Sequence, residues 1–191
     1  ASTLLTLYTE EGNHTFEVRA VDGAGNDGSV MTLDFTVDLT GPDPVSDLHL
    51  TDDTGTSSED GLTSDTTPTF IWAPASDPSG VWYYECRTDE SAWEVVDGVS
   101  IQLALDEGMH TFAVRAVDSA GNSGPATTQS ITVDVTGPTA ACALDNDTGV
   151  SSVDGVTKAN SLTFVWSASD ANGVAAYQYR MDGDTWLETQ A

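Results

Sequence analysis

HTFAVRAVDSAGNSGPATTQSITVDVTGP, residues His110 to Pro138, decides the fold of this chain because it occurs twice. Ninety-six positions earlier, His14 to Pro42 reads HTFEVRAVDGAGNDGSVMTLDFTVDLTGP, with the same alternation, the same AGN turn and the same TGP exit. A recurrence of that length and spacing marks a small domain repeated in tandem rather than a solenoid turn. In the earlier copy Phe16, Val18 and Ala20 alternate with Thr15, Glu17 and Arg19, the period of two of a half-buried strand. DGAGNDG, Asp22 to Gly28, is a turn, since Gly25 takes positive φ without steric cost and Asp and Asn side chains bond nearby backbone. Thr32 to Val37 runs back as a strand and ends ahead of Pro42, which cannot donate to a ladder.

Working outward, Leu4 to Tyr8 reads as a short apolar strand, so residues 1–42 hold three strands. Residues 43–138 hold a whole unit. Val45 to Leu50 alternates as its first strand, and the polar tract DDTGTSSEDGLTSDTT forms a loop to Thr67. Thr69 to Trp72 follows with Phe70 and Trp72 on one face, then a loop from Pro74 to Gly80, then Trp82 to Arg87 with Tyr84 and Cys86 sharing a face. Trp93 to Val96 is a short edge strand and Ser100 to Leu105 the next, ahead of the two strands of the opening stretch. Residues 139–191 restart the unit: Phe164 and Trp166 mirror Phe70 and Trp72, while Tyr177, Arg180 and Trp186 mirror Tyr84, Arg87 and Trp93. The expected architecture is all-β. It comprises the last three strands of one module in 1–42, a complete seven-stranded antiparallel sandwich in 43–138, and the first four strands of another in 139–191.

The 191 residues carry 31 Asp and Glu against five Lys and Arg, a formal charge of −26, yet the 39% hydrophobic content and five Trp argue for folded modules with an acidic surface. Such a surface excludes nucleic acid, whose phosphates demand basic side chains, and disfavours anionic membranes; direct membrane insertion is not expected. It suits solubility in salt, repulsion between modules, or binding of calcium. Cys86 and Cys142 fall on different modules, which gives no support to a disulfide framework.

Trp72 on the second strand, ECRTD from Glu85 to Asp89 on the third, and HTFAVRAVDSAGNSG on the sixth together resemble the bacterial immunoglobulin-like repeats, of the branch close to fibronectin type III. That resemblance covers essentially the whole chain, in two registers. It implies tandem sandwiches of the kind that build the stalks of large surface adhesins and other extracellular proteins, and an extracellular or cell-surface location. It identifies function less sharply than fold, because such sandwiches serve as spacers, binders and enzyme appendages alike.

Calcium is the candidate cofactor. Asp118 with Asn122, repeated as Asp22 with Asn26, offers oxygen ligands, or else closes the hairpin through local backbone bonds. Fibronectin-like connections bring the loop after the second strand (Asp77, or Asp170 and Asn172) to the pole where the chain enters. The sixth-to-seventh hairpin (Asp118, Asn122) lies at that pole, and the exit strand of the previous module delivers Asp38 or Asp134 there. A cation shared by Asp38, Asp77 and Asp118, and another by Asp134 and Asp170, would relieve repulsion and stiffen each joint. Asp53 and Asp60 in the long loop are weaker ligand candidates, since the tract lacks the EF-hand pattern. Trp82, Tyr83, Trp93 and Trp186 form a sugar-stacking patch or pack within the sheets. Asn13 in NHT and Asn146 in NDT are formal glycosylation acceptors.

No catalytic constellation stands out, and the chain is expected not to be an enzyme. The expected role is an extracellular structural repeat: the stalk of an adhesin or the body of a filament, its partners being neighbouring repeats or identical subunits. Modules of about 35 to 45 Å, joined by a tight TGP linker, form a semi-rigid array. Residues 1–42 and 139–191 together make up one module, so either the array runs on in one chain or strands of separate chains complement each other. The alternatives are a carbohydrate- or surface-binding module and a non-catalytic appendage of a secreted enzyme.

Overall fold

The computed structural model describes residues 4–190. The strands in chain order are β1 (Gly12–Val18), β2 (Met31–Val37), β3 (Ser46–Leu50), β4 (Leu62–Thr63), β5 (Thr69–Ala73), β6 (Val81–Thr88) and β7 (Glu94–Val96). After them come β8 (Ser100–Gln102), β9 (Gly108–Asp118), β10 (Thr127–Val133), β11 (Thr139–Leu144), β12 (Phe164–Ser169), β13 (Ala176–Tyr179) and β14 (Leu187–Gln190). No helix occurs among the described residues, and the molecule is all-β. Two compact units divide the described residues: 4–51, 69–102 and 110–130 in one, 52–68, 103–109 and 131–190 in the other.

In the first unit β1 and β2 form an antiparallel hairpin in unbroken register from Gly12↔Val37 to Val18↔Met31. The three-stranded sheet β3-β5-β8 supplies Leu50, Phe70 and Trp72 to the core, and the paired strands β6 and β9 supply Tyr84, Cys86, Phe112 and Val114. The face-to-face contact is aromatic: Phe70 stacks on Phe112 with ring centroids 4.2 Å apart, and Trp72 meets the edge of Tyr84 at 5.7 Å. Removing such rings from water stabilises the fold by about 1.5 to 3 kcal/mol each. The outer side of β9 is covered too, because the guanidinium groups of Arg115 (4.4 Å) and Arg87 (4.8 Å) both lie over the ring of Trp93.

In the second unit β11 pairs with β12 from Thr139↔Ser169 to Leu144↔Phe164, and β13 pairs with β14 from Ala176↔Gln190 to Tyr179↔Leu187. The tract expected as a plain loop is instead ordered around β4, which pairs parallel with β10 at Thr132↔Leu62 and Val133↔Thr63, so residues 43–138 carry eight strands where the sequence suggested seven. The cause is a side chain. Thr63 is buried, and its Oγ1 accepts from the Thr54 and Asp65 N–H groups and meets Thr54 Oγ1 at 2.8 Å.

A second departure concerns Leu4 to Tyr8, which forms no strand and is exposed. Its counterpart in the repeat, Ser100–Gln102, is held by pairing with Thr69–Ile71, and a strand without a partner gains nothing from its propensity.

Candidate functional site

Each copy of the AGN turn is closed by its aspartate. Asp118 Oδ1 accepts from the Ala120 and Asn122 N–H groups at 2.9 and 2.8 Å, and Oδ2 accepts from Asn122 Nδ2 at 2.9 Å. Asp22 repeats the set with Ala24 and Asn26 at 2.9, 2.8 and 2.8 Å. Gly121 and Gly25 take φ of 93° and 88°, the left-handed conformation the turn requires. The local reading of this Asp–Asn pair therefore holds in both copies.

Burial pushes the Asp118 carboxyl up, but the hydrogen bonds from Asn122, Gly121 and Ala120 outweigh it and hold the group below its ordinary value. A carboxyl lowered in the folded state stabilises at neutral pH, and that contribution disappears as pH falls through the lowered value. The difference in thermal midpoint between the wild type and Asp118→Asn should thus be largest near pH 7 and shrink below about pH 4. A difference independent of pH would show that the hairpin does not use the carboxylate charge.

Asp118 also belongs to a wider group. One carboxylate oxygen from each of Asp38, Asp77 and Asp118 lies within 4.8 Å of the others. Asp38 follows β2, and its Oδ1 accepts from the Thr40 N–H at 3.1 Å. Asp77 sits in the turn after β5, where its Oδ1 accepts from Ser79 N–H and Oγ at 2.8 and 2.7 Å. The segments are locked by main-chain contact: Asn122 Nδ2 donates to Asp38 O at 3.1 Å, and a Cβ added at Gly41 would lie 2.6 Å from Ser123 O. Three carboxylates so placed repel one another, and the ion pairs of Arg and His among the described residues go elsewhere, to Asp27, Asp47, Asp89 and Glu85. Asp38 Oδ2 is buried with no hydrogen-bond partner, a costly arrangement for an anionic oxygen unless something positive meets it. An all-oxygen set of this kind fits a hard divalent cation such as calcium.

The remaining candidates lie outside that group of three. In the second unit Asp134 Oδ2 accepts from Asn172 Nδ2 at 2.8 Å and Oδ1 from the Thr136 N–H, while Asp170 Oδ1 accepts from the Asn172 N–H. Among the described residues these two acids are not part of a group of three acidic, His or Cys ligands. Asp53 Oδ2 accepts from the Gly61 N–H and Asp147 repeats the bond with Gly155, so Asp53 closes its loop, as does Asp60 through the Leu62 N–H. Asn13 Oδ1 accepts from Thr36 Oγ1, and the Asn146 amide is used at both ends, by Ser161 O and the Thr163 N–H. Arg87 and Arg115 lie over the Trp93 ring and Arg180 over Trp186 at 4.5 Å, while Trp82 and Tyr83 meet edge to face at 5.2 Å. Cys86 and Cys142 are free thiols.

The interleaved aromatic core and the acidic pole define an immunoglobulin-like β-sandwich repeat. The bacterial Ig-like domain model matches residues 40–136, and the chain belongs to that family. A solved fibronectin type III variant, FN3tt mut, is 22% identical over 49% of this chain and 97% of its own, with a TM-score of 0.35. No curated protein matched the sequence. Bacterial Ig-like domains are typically extracellular or surface modules with structural or binding roles. No helix among the described residues is long and apolar enough to cross a membrane.

Proposed function

We propose that this chain is a non-catalytic spacer segment of an extracellular or cell-surface array, the stalk of an adhesin or the body of a filament, in which a divalent cation, calcium by preference, stiffens the joint at Asp38, Asp77 and Asp118. The observation that carries the cation reading is the convergence of three carboxylates, one with a buried unpartnered oxygen, on a backbone locked by Asn122 and Gly41. The site draws its ligands from three segments far apart in sequence, so a cation there binds the folded state and not the unfolded chain.

Calcium at one hundred times its dissociation constant should add about 2.7 kcal/mol of stability. Thermal unfolding at fixed ionic strength measures it: the midpoint rises with calcium in the wild type and not in Asp77→Asn or Asp38→Asn. A wild-type midpoint that moves no more than with matched sodium chloride refutes the cation.

A further inference from the structure

Cations are scarce in this chain, five Lys and Arg against 31 Asp and Glu, and four of the five stand at two recurring positions, Arg19 with Arg115 and Arg87 with Arg180. Arg19 and Arg115 each have an acid, Asp27 at 2.8 Å and Glu85 at 2.6 Å. Arg87 has none: among the described residues it makes no ion pair. Its Nε is buried without a hydrogen-bond partner, and the Nη end of this half-buried side chain is left to solvent. The acids around it are committed elsewhere. Glu85 is held by Arg115 through both Nε and Nη2, and Asp89 by His110 and the Thr111 N–H. Glu94 pairs with Cys86 across the strands and so belongs to the opposite face of the sheet. Two guanidinium groups over one ring, Trp93, with one carboxylate to neutralise them, make a positive patch in a chain of −26.

We propose that Arg87 binds the carboxylate of an acidic sugar, a hexuronate unit, on the outer face of the sheet formed by β6, β9 and β10. A guanidinium fork matches a carboxylate bidentately, which a point charge does not. Arg87 stands opposite Ala113, so no larger side chain across the strands competes for it. Beyond β9, strand β10 turns Ile131 and Val133 into the core, and the alternation leaves Thr128 and Ser130 outward and exposed. Those hydroxyls lie two strand spacings from β6, about 10 Å, within the span of an arginine side chain and one sugar ring. On the other side Val95, opposite Glu85, is 63% exposed and offers an apolar surface to C–H groups. The Trp93 ring is taken up by guanidinium groups, so recognition runs through Arg87 and not through stacking. The surrounding acidity selects the ligand further, because repulsion grows with every negative charge it carries, and one carboxylate per unit meets the least. Arg180 over Trp186 repeats the arrangement, so an array presents one such contact per repeat, and weak contacts in series reinforce one another. The single site at Arg87 depends on neither the spacer reading nor the cation.

The test is an NMR titration of the 191-residue chain in salt of about 0.1 M, a screening length of about 10 Å, with glucuronate, glucose, acetate and inorganic phosphate as probes. Glucuronate should move the Arg87 Nε and Trp93 indole signals saturably, with a dissociation constant of roughly 1 to 10 mM. Acetate and phosphate should bind more weakly and glucose not at all. Arg87→Lys keeps a charge but loses the fork, and should weaken glucuronate binding about tenfold. Glu85→Gln removes a repelling charge and releases Arg115, so it should tighten binding about tenfold, a gain that a loosened fold cannot imitate. No saturable shift, equal binding by Arg87→Lys, or no gain in Glu85→Gln overturns the site. Glucose, acetate or phosphate binding as tightly as glucuronate overturns the acidic sugar.

Discussion

Phe112→Ala is expected to cost about 3 to 5 kcal/mol of unfolding free energy, the range for emptying a fully buried aromatic site. Phe112 is inaccessible to solvent, stacks on Phe70 at 4.2 Å and lies 6.2 Å from Trp72, so the space left behind is walled by rigid rings that cannot collapse into it. Phe16 occupies the same place in the repeat but not the same surroundings: it is half-buried on a two-stranded hairpin. Phe16→Ala should therefore cost well under half as much in single chains. Denaturant unfolding followed by circular dichroism, at a concentration where light scattering shows single chains, reads both values. Equal costs would mean that Phe112 is not the centre of the core.

Gly41→Ala should be the next most damaging change, at about 1 to 3 kcal/mol, the cost of overpacking a tight site. The added methyl would meet Ser123 O at 2.6 Å and the Gly124 nitrogen at 3.0 Å, both main chain, so the linker or the hairpin must move. Either movement disturbs the Asn122 bond to Asp38 O and pulls the carboxylates apart, so the same variant should also lose any calcium-dependent rise in thermal midpoint. Gly137 holds the equivalent place in the second TGP and has nothing within 4 Å of an added Cβ. Gly137→Ala is the internal control, expected within about 0.5 kcal/mol of wild type. Matching losses at the two glycines would show that the cost comes from the linker's own conformation and not from its contact with the hairpin.

What the sequence revealed and what it hid divide along physical lines. The Asp118–Asn122 turn was legible because its bonds close within four residues, and its copy at Asp22 said the same thing twice. The convergence of Asp38, Asp77 and Asp118 needed a topology as well as residues, and the resemblance to fibronectin-like sandwiches supplied one. Nothing local announced the approach of Gly41 to Ser123, since a main-chain contact between distant segments leaves no periodic trace. β4 was hidden by its polarity: two residues within a run of Asp, Ser, Thr and Gly, held by the hydroxyl of Thr63 rather than by an apolar face. The signal was present nonetheless in the recurrence of DTG and DG at residues 53–61 and 147–155, where Asp53 and Asp147 make the same bond to Gly61 and Gly155. Trp93 resembled a sugar platform because the cross-strand register that sets Arg115 and Arg87 over it cannot be read from spacing alone.

Under the proposed spacer role, the parallel pairing of β4 with β10 has a mechanical consequence. The Thr132 N–H donates to Gly61 O at 2.7 Å and the Asp134 N–H donates to Thr63 O at 2.9 Å, so two bonds reach across to the strand through which the chain leaves toward the next repeat. Tension applied beyond Asp134 runs along that strand and across both bonds, which then share the force and part together instead of opening one after the other like a zipper. The strand they hold is anchored by the buried Thr63, so the grip on the departing chain reaches into the interior. In the proposed spacer, a tract of small polar residues would serve as the clasp that keeps a stretched repeat closed.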